Sequence, residues 1–262
     1  VRPSIPQGAD QVISQRTPAS VAAWVKTMGG KATMEGDNLV AISLAATSVT
    51  DELLENIAGL TSLRNLELQY TDISDIGARH LAGLSGLEQI DLSATMISDA
   101  GLANLNGLAQ LKIVTLKHTP VTGTGLNNLA AATGLTQLDL ASSPITDDGL
   151  DRIAALSSLK RLSLAYTNIT DPGLARIQGL QLDELDLAGT DIGDEGTIHL
   201  SAFTSLRLLS LSYSRVTDKG FPLLDTLTHL ESLDLVRTRI TDQGIGAVAA
   251  FKNLRSLNLD YT

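Results

Sequence analysis

From Leu39 onward the chain runs on two hydrophobic rhythms in turn. Leu87, Ile90 and Leu92 open one stretch with apolar and polar residues alternating, the signature of a short strand with one buried face. Leu102, Leu105 and Leu108 follow at three-residue spacing, which is helical. The same passage restarts at Leu39, Leu63, Leu87, Leu111, Leu135, Leu159, Leu182, Leu206, Leu230 and Leu254, 24 residues apart except for 23 between Leu159 and Leu182. One such unit is too small to bury its own leucines, so successive units must stack. A strand joined through a helix to the next strand pairs with it in parallel. The pattern predicts an α/β solenoid over residues 39–262, with about nine full coils and a truncated tenth. A parallel sheet forms its concave face and short helices its convex face.

Residues 1–38 lie outside the repeat and read as an N-terminal cap. Thr17 and Pro18 form a cap and first-turn pair, Val21, Trp24, Val25 and Met28 follow at helical spacing, and Gly29-Gly30 stops the helix. A strand over 31–34 and a turn then lead into the first repeat, with Trp24 as the lid on the first coil. The other end stops at Thr262, straight after a strand. That predicts either a piece of a longer protein or an end covered by self-association, because a bare repeat exposes leucines and a sheet edge.

The repeat changes how the composition reads. Aromatics make up only 3% of the chain, because a core of stacked Leu, Ile and Val needs few. Cysteine is absent, which removes disulfides, thiolate metal sites and cysteine nucleophiles. Carboxylates outnumber Lys and Arg 29 to 19, which argues against nucleic acid as a partner. No apolar run is long enough for a membrane span.

The strand motif of Leu63, Leu66 and Leu68, with a tail such as Thr167, Ile169, Thr170, Asp171, Gly173 and Leu174, resembles the leucine-rich repeat family. The tail looks like bacterial repeats abundant in planctomycete proteins. It is also similar to the cysteine-containing class found behind F-box domains. The chain departs from these in one column. Where they usually carry Asn or Cys after the strand, it has Thr47, Thr71, Thr95, Thr119, Ser143, Thr167, Thr190, Ser214, Thr238 and Thr262. A buried hydroxyl there can still satisfy the turning backbone. The resemblance implies a horseshoe that binds other macromolecules.

Counting from the first leucine of each coil, positions three, five, seven and eight are expected to face away from the leucines. Position eight reads Ala46, Tyr70, Ala94, His118, Ser142, Tyr166, Gly189, Tyr213, Arg237 and Tyr261, so all four tyrosines share one column. Position five carries Asp91, Asp139, Asp186 and Asp234 in alternate coils, out of phase with the tyrosines. Two readings fit this doublet. Bulky Tyr beside small Ala, Ser or Gly, with like charges kept two strands apart, is good packing without any ligand. Exposed Tyr on a rigid sheet is also what a binding surface uses. The second reading makes Tyr70, His118, Tyr166, Tyr213, Arg237 and Tyr261, with the four Asp, the partner-binding residues. Tyr213, Arg237 and Tyr261 form their centre.

A further column, Asp51, Asp75, Asp99, Asp147, Asp171, Asp194, Asp218 and Asp242, is broken only by Gly123. Each Asp is expected to serve the start of its own helix rather than a metal. The glycines two places later mark close backbone approach between coils. No catalytic constellation is apparent: the four histidines are scattered, and the neighbouring acids Glu67 and Asp91 lie on an open sheet without a pocket. The expectation is a non-enzymatic scaffold for a protein partner, with no cofactor and no metal. A ubiquitin-ligase adaptor and a carbohydrate-binding surface are the alternatives.

Overall fold

The structure is a computed structural model and describes residues 7–8 and 10–262. Residues 1–6 and 9 of the expected cap lie outside the described residues. The chain divides into two compact units, residues 1–121 with 125–135, and residues 122–124 with 136–262.

In the first unit, the Thr17 hydroxyl accepts from the Ser20 amide at 3.2 Å and Pro18 opens helix α1, Pro18–Thr27. The helix buries Val21, Ala22, Trp24 and Val25 and packs on an antiparallel hairpin of β1, Lys31–Glu35, and β2, Asn38–Ser43. Gly29 leaves the helix at φ 84°, and a Cβ on Gly30 would stand 2.4 Å from the Ser43 carbonyl oxygen. Only glycine fits that corner. Parallel strands β3, Asn65–Glu67, β4, Gln89–Asp91, and β5, Ile113–Thr115, continue from β2.

The second unit has β6, Gln137–Asp139, β7, Arg161–Ser163, β8, Glu184–Asp186, β9, Leu208–Ser210, β10, Ser232–Asp234, and β11, Ser256–Asn258. Each pairs in parallel with the next in strict register, as in Leu162↔Leu185 and Leu209↔Leu233. The 24-residue spacing therefore places equal positions side by side, and every column of the sequence becomes a row in space.

The leucine columns make the core. Leu63, Leu66, Leu68, Ile73, Leu81 and Leu84 are at most 1% exposed, each burial worth about 1.5–3 kcal/mol. Phe203, Phe221 and Phe251 lie buried in the helical halves of their coils. The helical halves are α-helix at Asp147–Ile153, Asp171–Ile177 and Asp194–Leu200, but 3-10 helix at Leu53–Ile57, Gly101–Leu105, Leu126–Leu129, Phe221–Leu224 and Ile245–Ala250. A 3-10 helix rises further per residue, so a short return segment spans the coil with fewer residues. In the last coil Leu254, Leu257 and Leu259 are half-buried, whereas Leu230, Leu233 and Leu235 one coil earlier are at most 1% exposed.

Candidate functional site

The strands end at position five, so position eight lies beyond the sheet rather than in it. This corrects the expected placement of Tyr70, His118, Tyr166, Tyr213, Arg237 and Tyr261. All sit in the turn after the strand, with φ between 52° and 60°. The cause is the return of the chain. Position-nine amides donate to the position-six carbonyl, as Ser214 to Leu211 at 3.1 Å and Thr238 to Leu235 at 3.0 Å. A turn closed that way requires a left-handed third residue when the second is extended. The position-nine hydroxyl donates to the same oxygen, Thr71 to Leu68 and Thr167 to Leu164 both at 2.6 Å. These buried hydroxyls are how Thr replaces Asn or Cys in this column. The position-eight amide donates to the next coil, as Tyr70 to Ser93 at 2.9 Å and Tyr213 to Val236 at 2.7 Å. The side chain is thus held out from a fully bonded turn.

In the second unit this brings four of the six residues into one stack. Tyr166 and Tyr213 stand 6.5 Å apart between ring centroids although a whole coil separates them. The intervening residue is Gly189, and the Tyr166 ring lies over it. The Arg237 guanidinium carbon is 5.5 Å from the Tyr213 ring centre and 5.1 Å from that of Tyr261. Tyr166, Tyr213 and Tyr261 remain 57%, 47% and 80% exposed, so the stack faces water. Tyr70 and His118 are exposed in the first unit, with Ala94 between them in the column.

The acids of position five have a local task that the sequence reading missed. Asp91 accepts from the Ser93 amide at 2.9 Å, and Asp139, Asp186 and Asp234 accept from Ala141, Ala188 and Val236 at 3.2, 3.1 and 3.1 Å. Asn258 accepts from Asp260 in the same way at 3.1 Å. An acceptor two residues before a free amide is the signal for such a turn. All four Asp are half-buried.

The helix-start Asp column is also corrected. The carboxylates of Asp51, Asp75, Asp99, Asp147, Asp171, Asp194 and Asp218 reach the following coil. Asp147 Oδ1 accepts from the Thr170 amide at 2.9 Å and Oδ2 from its hydroxyl at 2.6 Å; Asp194 does the same to Thr217, and Asp218 to Thr241. The Thr241 hydroxyl, with its amide and that of Gly244, holds the Asp218 carboxyl below the ordinary carboxylate value. The glycines are where these carboxylates pass: a Cβ on Gly77, Gly101, Gly173, Gly196 or Gly244 would lie within 2.4 Å of the preceding coil's Asp Oδ1. Thr, Asp and Gly of the tail are one joint between coils.

Position two forms a charged row that the sequence reading also missed, legible as alternating signs at 24-residue spacing. Lys112 meets Glu88 at 2.7 Å in the first unit, and Arg207 and Arg255 flank Glu231 in the second. The hydrogen bond from Lys112 lowers the Glu88 pKa, and that from Arg207 lowers the pKa of Glu231. Glu67 and Asp91 line an open depression with Asn65, Gln89 and Thr115. Among the described residues no group of three or more His, Asp or Glu is placed to hold a metal, and no helix is long and apolar enough to cross a membrane.

Stacked strand-and-helix coils with leucine-filled interiors and Thr, Asp and Gly joints define a leucine-rich repeat solenoid. The family model described as leucine-rich repeat matches residues 59–82, 133–154, 155–177, 182–201 and 226–249 of the chain. Among solved structures, internalin C2 of Listeria monocytogenes is 25% identical, with 95% of this chain and 99% of that one covered at a TM-score of 0.57. Internalin inlF of the same organism is 18% identical, covering 97% and 92% at a TM-score of 0.57. The plant peptide hormone receptor RGFR1, solved in complex with RGF2, is 19% identical and covers 85% of this chain and 40% of its own at a TM-score of 0.53. No curated protein matches the sequence.

Proposed function

We propose that the chain is a non-catalytic scaffold that binds a protein partner through the row of side chains at the strand ends. The observation that carries this is the exposed stack of Tyr166, Tyr213, Arg237 and Tyr261. Tyrosine offers large contact area with few torsions to freeze, and tyrosine and arginine dominate interface energetics. Here neighbours already fix the rings, which lowers the entropy lost on binding. Within the first unit Tyr70 and His118 hold the same column position, with Asp91 at position five, and in the second unit Asp139, Asp186 and Asp234 hold position five. The peptide-hormone complex of the plant receptor, on the same fold, supports a protein partner. The domain reading of a cap over residues 1–38 and coils over 39–262 is retained. The chain lacks the cysteine column of the F-box-associated class, so nothing favours the adaptor reading.

The test replaces Tyr213, Arg237 and Tyr261 together by Ala and compares capture of partners from a lysate of the source organism. Loss of capture with a melting temperature near that of the parent supports the reading. Undiminished capture moves the search to the helical side.

A further inference from the structure

A separate surface lies on the sheet of the first unit, and it does not rest on the tyrosine row. Asn65 and Glu67 on β3 stand in register with Gln89 and Asp91 on β4. Amides and carboxylates therefore form a two-by-two grid, about 4.8 Å across the strands and about 6.6 Å along them. With Ile113 and Thr115 of β5 they line an open depression of about 200 Å³. A second depression, of about 270 Å³, shares Asn65 and Glu67 and carries the floor on to Ser43, Thr33 and Lys31.

The side chains of this floor are unspent. Among the described residues, Asn65, Glu67, Gln89 and Thr115 hold no side-chain hydrogen bond or ion pair. Matching positions of the second unit satisfy each other instead, Arg161 with Glu184 at 3.0 Å and Ser163 with Asp186 at 3.3 Å. Two places beyond Glu67 and Asp91, Gln69 Oε1 and Ser93 Oγ are buried without a hydrogen-bond partner. Ser93 is 7% exposed, and its amide donates to Asp91 Oδ1 at 2.9 Å, which sets it beside the grid. Buried polar atoms are normally paired, and these two add a donor and an acceptor to the border.

The donor set selects the occupant. A metal ion would find only two carboxylates, since no group of three or more His, Asp or Glu comes together among the described residues. The centre of a protein interface favours aromatic side chains over Asp, Glu and Ser, and no aromatic lines either depression. A sugar hydroxyl both donates and accepts, which suits carboxylates that only accept beside amides that do both. Ile113, half-buried on the same floor, offers an apolar contact to the carbon face of a sugar ring. Two carboxylates against the single cation of Lys31 disfavour an acidic sugar.

We infer that the sheet face of the first unit binds a neutral oligosaccharide. Glu67 and Asp91 accept from its hydroxyls, and Asn65 and Gln89 hold the neighbouring ones.

The probes are cellohexaose, maltohexaose and N-acetylchitohexaose, titrated into the full chain by isothermal calorimetry. At least one should bind with a Kd in the millimolar range or tighter. Glu67→Gln keeps the shape of a side chain that the fold leaves unbonded. It should cost about tenfold in affinity at an unchanged melting temperature. Asp91→Asn should add to the loss, and it keeps an acceptor for Ser93 as Asn258 does for Asp260 at 3.1 Å. Hexagalacturonate should bind about tenfold more weakly than the best neutral probe.

Silence of all three neutral probes overturns the inference, as does undiminished binding by Glu67→Gln or equal binding of hexagalacturonate. Calcium alone, or a tetra-arginine peptide, bound by the parent and lost in Glu67→Gln would put a cation on these carboxylates and overturn it too. The Tyr213, Arg237 and Tyr261 variant should bind the sugar as the parent does, so this surface and the tyrosine row stand or fall separately.

Discussion

The ring of Tyr166 occupies the space where Gly189 would carry a side chain: a Cβ there would stand 2.4 Å from Tyr166 Cδ1. The glycine lets a ring from one coil reach the ring two coils on, and the stack depends on it. Gly189→Ala should push Tyr166 aside. The backbone itself tolerates alanine, since Ala46 and Ala94 hold the same conformation at φ 55° and 53°. We expect a loss of about 1 kcal/mol in stability, together with a change in the near-ultraviolet dichroism of the tyrosines. An unchanged tyrosine signal would show that the ring does not rest on Gly189.

The left-handed column carries strain that can be released. Nine of its ten residues have side chains, and a left-handed conformation costs a residue with a Cβ about 1–2 kcal/mol. Replacing Ala94, φ 53°, by Gly removes that cost but adds about 0.5–1 kcal/mol of unfolded-state entropy. The first term is larger. Ala94→Gly should therefore stabilise the protein by up to about 1 kcal/mol, read by chemical denaturation. A destabilised variant would mean that contacts of the Ala94 methyl outweigh its backbone strain.

Most of the fold is legible in the sequence because parallel stacking in register turns every column into a row. Ten leucine starts give ten coils, and tyrosines in one column become neighbours in space. What the sequence hides is which coil a polar side chain serves. Asp147 opens its own helix, yet its carboxylate serves Thr170 of the next coil. Local spacing cannot separate these, because both partners are free amides at a helix start. Position eight was misplaced for a related reason. Period-two alternation runs through Leu92 to Ala94, but the strand ends at Asp91 and the alternation outlasts it. The contact pair Tyr213 and Arg237 was nevertheless foreseeable from the column alone.

The joint between coils should behave as a unit. Asp147→Ala removes two charge-assisted hydrogen bonds to Thr170, a loss of about 2–4 kcal/mol. Gly173→Ala places a Cβ against the Asp147 carboxylate and should also destabilise. The double variant should be less damaged than the two losses added together, since removing the carboxylate makes room for the new methyl. A thermodynamic cycle by urea unfolding reads the coupling, and strict additivity would sever the proposed link between these residues.

Acid should weaken the same joints. The Asp218 carboxyl is held below its ordinary value of 3.8 by Thr241 and Gly244. A carboxyl whose folded pKa lies below its unfolded one contributes stability that is complete above the unfolded value and is lost as pH falls through the folded one. Glu88 and Glu231, lowered from 4.5 by Lys112 and Arg207, add to the same trend. Stability should thus decline as pH drops below about 4.5. Thr241→Val, which keeps the amide and loses the hydroxyl, should make that decline shallower. A carboxyl titration by nuclear magnetic resonance that places Asp218 at or above 3.8 would contradict the assignment.

Gly123 is the one gap in the Asp column, and the repeat pattern alone would recommend filling it. The structure argues the reverse. Gly123 stands at φ 105°, and a Cβ there would lie 2.6 Å from the Cα of Gly149. Backbone cannot move aside as a flexible side-chain end can, so Gly123→Asp meets both conformational strain and a clash before its carboxylate reaches any amide. We expect a loss of about 2 kcal/mol or more, and Gly123→Ala should show most of it, because the Cβ and not the charge is at fault. If Gly123→Asp instead melts at or above the parent temperature, this coil can adopt the turn used by its neighbours, and the missing carboxylate is the weaker joint.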